Sequence, residues 1–277
     1  MDGKTVVLTG ANTGIGKQTT LELAKRGARV VMACRDAARG EAAREEILAE
    51  TDGRGELDVR EVDLSSLASV RAFAEKTNAE LPRIDVLINN AGIFPQKGWK
   101  TVDGFEAQFG VNYLGPFLLT NLLLDKLRAS APSRIVHLTS MLHTKGTLDF
   151  ESFRGEKPYK ATAAYNQSKL ANLVFSNELS RRLEGTGVTS NAVHPGTIST
   201  DITREMPWVV RKLVGFMFKD VAVGAKGPVL VATDPALADA SGRYWKETTE
   251  TEPSAEARDP AVASRLWEQS VRFCGLT

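Results

Sequence analysis

The chain has 277 residues, a formal net charge of +1 with acidic and basic residues spread along its length, and two cysteines. That length suffices for one large domain with a substantial core. No Pro-, Ser- or Gly-rich linker or internal repeat divides it, so a single domain over 1–277 is expected. The balanced charge excludes the footprint of a nucleic-acid binder. Cys34 and Cys274 are too far apart in sequence to suggest a disulfide framework or a zinc site, which points to a reducing compartment.

The first expected strand, Thr5-Val6-Val7-Leu8, begins within a few residues of Met1, and no later run reaches the ~18 uncharged apolar residues a membrane span requires. The expectation is therefore a chain without signal peptide or span, cytoplasmic or peripheral on the cytosolic membrane face. Thr9-Gly10-Ala11-Asn12-Thr13-Gly14-Ile15-Gly16-Lys17 follows, and helical spacing from Gly14 to Arg26 places its glycines at a strand-to-helix corner. A pyrophosphate docks at such a corner. Gly10 permits the tight turn, Gly14 lets backbone approach phosphate, and Gly16 allows close helix packing, while the helix N-terminus offers unpaired N–H groups. Gly10, Asn12, Thr13, Gly14, Ile15 and Gly16 are candidate cofactor contacts.

Further strands are expected near 29–33, 57–61, 84–89, 134–139, 188–193 and 243–245, with helices near 14–26, 38–50, 66–78, 105–128, 163–184 and 221–233. This alternation predicts an α/β, Rossmann-type doubly wound parallel sheet with right-handed crossovers, strand order 3-2-1-4-5-6-7 and helices on both faces. A last helical stretch, Ala261 to Phe273, carries Val262, Leu266, Trp267 and Phe273 and is expected to pack back on the body. Within the helix around Ala163 to Leu179, Tyr165 and Lys169 are four residues apart and project from one face. A phenol titrates near ~10, and a neighbouring ammonium favours its anion, so the pair suits proton transfer near neutral pH.

Thr-Gly-x3-Gly-Ile-Gly, Asn89-Asn90-Ala91-Gly92, Asn112, Ser140, Tyr165-x3-Lys169 and Pro195-Gly196 stand in the order seen in short-chain dehydrogenases/reductases, which the chain resembles from about residue 4 to 246. Ala33-Cys34-Arg35-Asp36, Asp103-Gly104-Phe105-Glu106, Gly115-Pro116-Phe117, Ser168-Lys169-Leu170-Ala171-Asn172 and His194-Pro195-Gly196 look like the retinol dehydrogenase branch. Tyr113 and Pro116 depart from the histidines usual there. The resemblance implies Ser140 as the hydroxyl that fixes a substrate carbonyl, Tyr165 as proton donor, and Lys169 as the group that lowers the tyrosine pKa and holds the nicotinamide ribose. It gives Asn112 the role of bending its helix and holding a water. It also implies transfer of the pro-S hydride without any metal. Helices 105–128 and 163–184 resemble those that form family dimers, so a homodimer or larger homo-oligomer is expected.

Cofactor choice rests on the end of the second strand, where Cys34 and Arg35 replace the acidic residue that would bind a ribose hydroxyl. NADP(H) is the expected cofactor, with Arg35 and Arg39 on its 2′-phosphate; the alternative is that Arg35 is a solvated loop residue. Asp63 and Leu64 resemble the family's adenine contact, although Asp63 or Ser65 could instead cap the helix beginning near Ser66. Asn89, Ala91 and Gly92 are expected at the cofactor, or else form only a turn. Pro195, Gly196, Ile198 and Thr200 would meet the nicotinamide and its phosphate. His194 reads as a packed strand-end residue, and His137 and His143 lack the spacing of a metal site.

Residues 197–223 correspond to the family's substrate lid. Met206-Pro207-Trp208-Val209-Val210 and Leu213-Val214-Gly215-Phe216-Met217-Phe218 are apolar, broken by Arg211-Lys212. Such a lid suits a small lipophilic carbonyl or alcohol, and its basic rim would rest on a membrane surface; the alternative is a core helix or subunit contact. The leading expectation is an NADP(H)-dependent enzyme interconverting retinal and retinol or a similar lipophilic aldehyde. Other lipid, steroid or xenobiotic carbonyls come next, and a non-catalytic dinucleotide-binding module last.

Overall fold

The computed structural model describes residues 1–196 and 221–276. Eight strands form one sheet in the order β3-β2-β1-β4-β5-β6-β7-β8. They are β1 (Thr5–Thr9), β2 (Arg29–Cys34), β3 (Glu56–Glu61), β4 (Val86–Asn89), β5 (Ser133–Leu138), β6 (Val188–His194), β7 (Tyr244–Lys246) and β8 (Thr249–Thr251). The first seven pair in parallel, with Thr5 opposite Arg29 and Val6 opposite Val86, for example. The last pair is an antiparallel hairpin, of which the sequence reading expected β7 but missed β8. Its strands have three residues each, and its turn places Glu247 at φ +58°, where glycine is the usual signal.

Strand alternation sends neighbouring residues to opposite cores. Val7, Val31, Leu87 and Ile135 join one cluster with the helices α3 (Leu67–Glu80), α5 (Gly115–Ala129) and α6 (Ala161–Arg182). Val6, Leu8, Val30, Met32 and Ile88 join the other, beneath α1 (Gly14–Lys25), α2 (Ala37–Glu50) and α7 (Val221–Thr233). Both faces of the parallel sheet are thus covered, as its continuous apolar strands require.

The helix expected over 105–128 is not continuous. A short α4 (Ala107–Phe109) passes into a π-helical turn, Gly110–Leu114, before α5 begins. Asn112 sits in that turn, 1% exposed rather than solvated. The N-terminus of α3 is capped by Ser66, whose Oγ accepts from Ser69 N, and by Asp103, whose Oδ2 accepts from Leu67 N. Asp63 and Ser65 do not cap it: Asp63 Oδ1 accepts instead from the Ser65 N–H and hydroxyl, closing a tight turn ahead of the helix.

The C-terminal stretch forms α8 (Ala255–Arg258) and α9 (Pro260–Cys274), which lie against α6. Trp267 meets Phe117 and Phe175 at ring-centroid distances of 5.2 and 5.8 Å, and Phe273 meets Phe105 at 4.9 Å. Every residue of α6 from Tyr165 to Ser176 is buried within this one chain. Tyr113 belongs to the same packing: its hydroxyl is 2.7 Å from Ser270 Oγ of α9, which explains a tyrosine at this position without reference to substrate.

Among the described residues no helix is long and apolar enough to cross a membrane. The α9 contact predicts a clear energetic consequence. Leu266 is 1% exposed, and Leu266→Ala is expected to cost about 2–5 kcal/mol of stability, read as a lowered urea midpoint at unchanged slope.

Candidate active site and dinucleotide cleft

A cleft of about 520 Å³ opens at the carboxyl ends of β1, β2, β4 and β5. Gly10 turns the chain out of β1 at φ +68°, and Gly14 opens α1 at φ +50°. A Cβ on Gly16 would fall 2.1 Å from the Gly10 carbonyl oxygen and 2.5 Å from Asn90 Nδ2, so only glycine lets α1 approach the strand end this closely. Thr13 occupies the N-cap of α1 in extended conformation and makes no side-chain capping bond. The first N–H groups of the helix are thereby left for an anion. Asn12, Thr13, Gly14, Ile15 and Gly16 line the cleft beside them.

Arg35 and Arg39 line the far side of the cleft, next to Val62, Asp63 and Leu64. Asp36 also borders it, but its Oδ1 accepts from Arg39 N at 3.0 Å as the N-cap of α2. Two arginines therefore border this end of the cleft while the neighbouring carboxylate is engaged by backbone. Across the cleft, Asn90 Nδ2 donates to Thr9 O at 2.8 Å and Gly10 O at 3.2 Å, which ties the end of β4 to the glycine turn. Ala91 and Gly92 line the cleft with it.

Asn89 corrects the sequence reading: its side chain leaves the cleft and enters the core, with Nδ2 2.9 Å from Thr120 Oγ1 and 3.3 Å from His137 Nδ1. The physical reason is alternation along β4, which sends adjacent asparagines to opposite sides.

At the nicotinamide end that the family pattern implies, the end of β5 and the first turns of α6 are bolted together. Thr139 Oγ1 donates to Lys169 O at 2.7 Å, and Lys169 Nζ donates to Leu138 O at 3.2 Å. Lys169 is 3% exposed and Tyr165 9%. Burial pulls the Lys169 ammonium down to about 8. Burial also pushes the Tyr165 phenol up to about 12, against a lowering hydrogen bond with the Ser140 side chain. Desolvation of the phenolate acts against the acidifying effect expected of the ammonium, whose Nζ lies 5.6 Å from the tyrosine ring centre.

Asn112 acts as a strap. Its Oδ1 accepts from Ile93 N at 2.7 Å, and its Nδ2 donates to Ile93 O at 3.0 Å and Ser168 Oγ at 3.0 Å. The π-helical turn aims it there. A Cβ on Gly92 would lie 3.3 Å from Lys169 Nζ and 3.5 Å from Asn112 Oδ1, so the bare glycine keeps open the space where these two groups converge. Pro195 reaches the cleft and Gly196 turns away from β6 at φ +93°. Ile198, Thr200 and all but the last three residues of the expected lid lie outside the described residues.

Phe94 was not foreseen. Its ring meets Tyr165 edge-on at 5.0 Å, and with Pro95 and Trp99 it forms an apolar wall of the cleft. The available signal was an aromatic residue two positions after the glycine that closes the β4 turn. Tyr159, from the long segment before α6, donates to Pro95 O and fixes this wall. Among the described residues there is no cluster of His, Cys, Asp and Glu able to hold a metal.

The donor set fits a dinucleotide on the evidence of the fold itself. It has an uncapped helix N-terminus, a glycine corner that a Cβ would block, two arginines at one end and a buried ammonium held by the Leu138 carbonyl at the other. The fold and site define an oxidoreductase of the CH–OH/C=O pair. The short chain dehydrogenase family model matches residues 4–208, and the chain belongs to that family. It is 50% identical over 283 aligned positions to retinol dehydrogenase 13 of Mus musculus, covering 99% of this chain and 84% of that protein. It is 47% identical to retinol dehydrogenase 14 of Homo sapiens, covering 100% and 88% respectively. A crystal structure from Mycobacterium paratuberculosis superposes with a TM-score of 0.82 at 37% identity, covering 99% of this chain and 94% of that one. The Pseudomonas aeruginosa RhlG/NADP active-site complex gives 0.71 at 26% identity, covering 89% and 95%.

Two outcomes are expected from this geometry. Gly16→Ala should weaken dinucleotide binding in calorimetry and cost about 1–3 kcal/mol of stability by overpacking the corner. The buried imidazoles govern acid behaviour: burial pulls His137 down to about 3 and His194 to about 4. Both folded values lie below the unfolded ~6.5, so the unfolded chain binds more protons in acid. This contribution to stability is full above pH ~6.5 and is lost as pH falls towards 3–4. Urea midpoints should fall across that window, less steeply in His137→Gln.

Proposed function

We propose that this chain is an NADP(H)-dependent carbonyl reductase and alcohol dehydrogenase acting on retinal and retinol or a closely similar lipophilic aldehyde. The observation that carries the reading is one cleft with Arg35 and Arg39 at one end and the Tyr165–Ser140–Lys169 group at the other. Arg35 and Arg39 suit a 2′-phosphate, since a guanidinium matches its oxygens with paired charged hydrogen bonds. The name of the RhlG/NADP complex supports the same cofactor.

NADPH, when bound, supplies a hydride to the carbonyl carbon. Ser140 Oγ donates to the carbonyl oxygen and fixes its orientation, and Tyr165 delivers the proton that completes the alcohol. A phenol held near 12 is fully protonated at neutral pH, which is the form reduction needs. Lys169 stabilises the phenolate left behind and has donors to spare for a ribose hydroxyl. Asn112 orients Ile93 and Ser168 around that ammonium.

Substrate class follows from the walls. Phe94, Pro95 and Trp99 are apolar, and Met141, the residue after Ser140, is 45% exposed. A long apolar aldehyde fits such a mouth, and the names of the retinol dehydrogenase relatives support retinal in particular.

The test is retinol formation from all-trans-retinal and NADPH. Tyr165→Phe should abolish turnover while leaving NADPH affinity nearly intact, and retained turnover would overturn the role of Tyr165. Arg35→Ala should weaken NADPH binding roughly ten- to a hundredfold and leave NADH binding almost unchanged. Equal losses for both cofactors would remove the 2′-phosphate assignment.

A further inference from the structure

The turn that carries Ser140 is a weak element in a demanding place. Ser140 caps a five-residue 3-10 helix, Met141–Lys145, and its Oγ accepts from Leu142 N at 3.2 Å while also bonding Tyr165. Helices of this type have poor hydrogen-bond geometry and little intrinsic stability. Something else must fix where the hydroxyl sits.

His143 is placed to do so. Its ring is 1% exposed, with Nδ1 2.7 Å from Ser140 O and Nε2 3.3 Å from Ser254 N, at the start of α8. The ring also stands edge-on to Tyr244 of β7 at 5.1 Å. Ser140 O accepts a second bond from His143 N at 3.0 Å, so backbone and side chain of one residue grip the same carbonyl. Leu148 N, further along the same segment, donates to Glu256 Oε1 at 3.0 Å. The serine turn is therefore tied at two points to the C-terminal segment that also covers α6.

The partners decide the tautomer. A carbonyl oxygen only accepts, so Nδ1 carries the proton; a backbone N–H only donates, so Nε2 is bare. A charged ring would have no acceptor for Ser254. Burial, which pulls the His143 pKa below its usual value, favours the same neutral form.

We propose that His143 is a positioning residue for the reaction, its neutral Nδ1–H imidazole clamping the Ser140 carbonyl so that the serine hydroxyl meets substrate and Tyr165 in register. The proposal rests on the functional reading of the Ser140–Tyr165 pair given above. His143 itself does not line the cleft.

Three variants of the full chain separate positioning from mere packing. In His143→Asn the amide nitrogen takes the place of Nδ1 and keeps the bond to Ser140 O, whereas the amide of His143→Gln reaches the Nε2 position and keeps only Ser254. His143→Ala keeps neither. The expected result is a kcat for His143→Asn within about threefold of wild type, with kcat for the other two reduced roughly ten- to a hundredfold, the scale of a misplacement near 1 Å. NADPH affinity should stay within about twofold in all three. His143→Asn losing as much kcat as His143→Ala at matched melting temperature, or all three keeping wild-type kcat, would overturn the proposal. A readout independent of turnover is the nitrogen-15 NMR spectrum of the His143 ring at neutral pH. A protonated Nδ1 with bare Nε2 supports the clamp, and an Nε2–H or doubly protonated ring overturns it. If wild type turns over no carbonyl substrate at all, the parent reading fails and the catalytic part of the proposal fails with it, while the ring spectrum still decides the clamp.

Discussion

The site depends on a buried ammonium. Lys169 lies almost wholly out of solvent at the carboxyl end of β5, where removing a charge from water is costly unless protein groups replace the hydration shell. The chain offsets that cost with the Leu138 carbonyl and with rigid placement, since Thr139 fastens the backbone of Lys169 from the same strand end. One strand terminus thus supplies the carbonyl that receives the ammonium, the hydroxyl that fixes its helix, and, one residue later, the Ser140 hydroxyl. Tyr165, one turn earlier on α6, is carried into register by the same fastening. The depressed lysine pKa and the raised tyrosine pKa are two consequences of one desolvated environment.

Holding such a group requires rigid surroundings, and the rest of the fold supplies them. The sheet is covered on both faces, and α6 is enclosed by the π-helical turn, the 3-10 helix after Ser140 and the C-terminal segment alike. The aromatic layer of Phe117, Phe175 and Trp267 joins α5, α6 and α9 on the side away from the cleft. Asn112 spans from the β4 turn to Ser168 on the other side. The catalytic helix is therefore immobilised from two directions, one apolar and one polar.

Much of this was legible from sequence because the chemistry is concentrated in short motifs with strict spacing. The glycine corner, Tyr165 and Lys169 can be read without coordinates, since four-residue separation on a helix fixes a shared face. The strand order followed from β/α alternation, and the sheet bears it out with one added strand. What escaped was decided by direction or by distant contact. Asn89 and Asn90 are the same residue type side by side, and only the register of β4 shows that the first enters the core. The acidifying effect of Lys169 is a pairwise argument, and burial of the Tyr165 phenol acts against it. The family resemblance implied a bend at Asn112 but not its π-helical form, and β8 carries no local pattern strong enough to announce it. The role of Tyr113 rests on Ser270, a residue far along the chain whose partnership no spacing could suggest.

The account's central claim is that Tyr165 completes a hydride transfer begun from a cofactor lying in this cleft. The most direct measurement supplies all-trans-retinal with NADPH dideuterated at the nicotinamide C4 and reads the mass of the alcohol formed. The account requires retinol carrying one deuterium on its carbinol carbon in wild type and none formed by Tyr165→Phe. Retinol without the label, or labelled retinol in equal yield from the tyrosine variant, would contradict it.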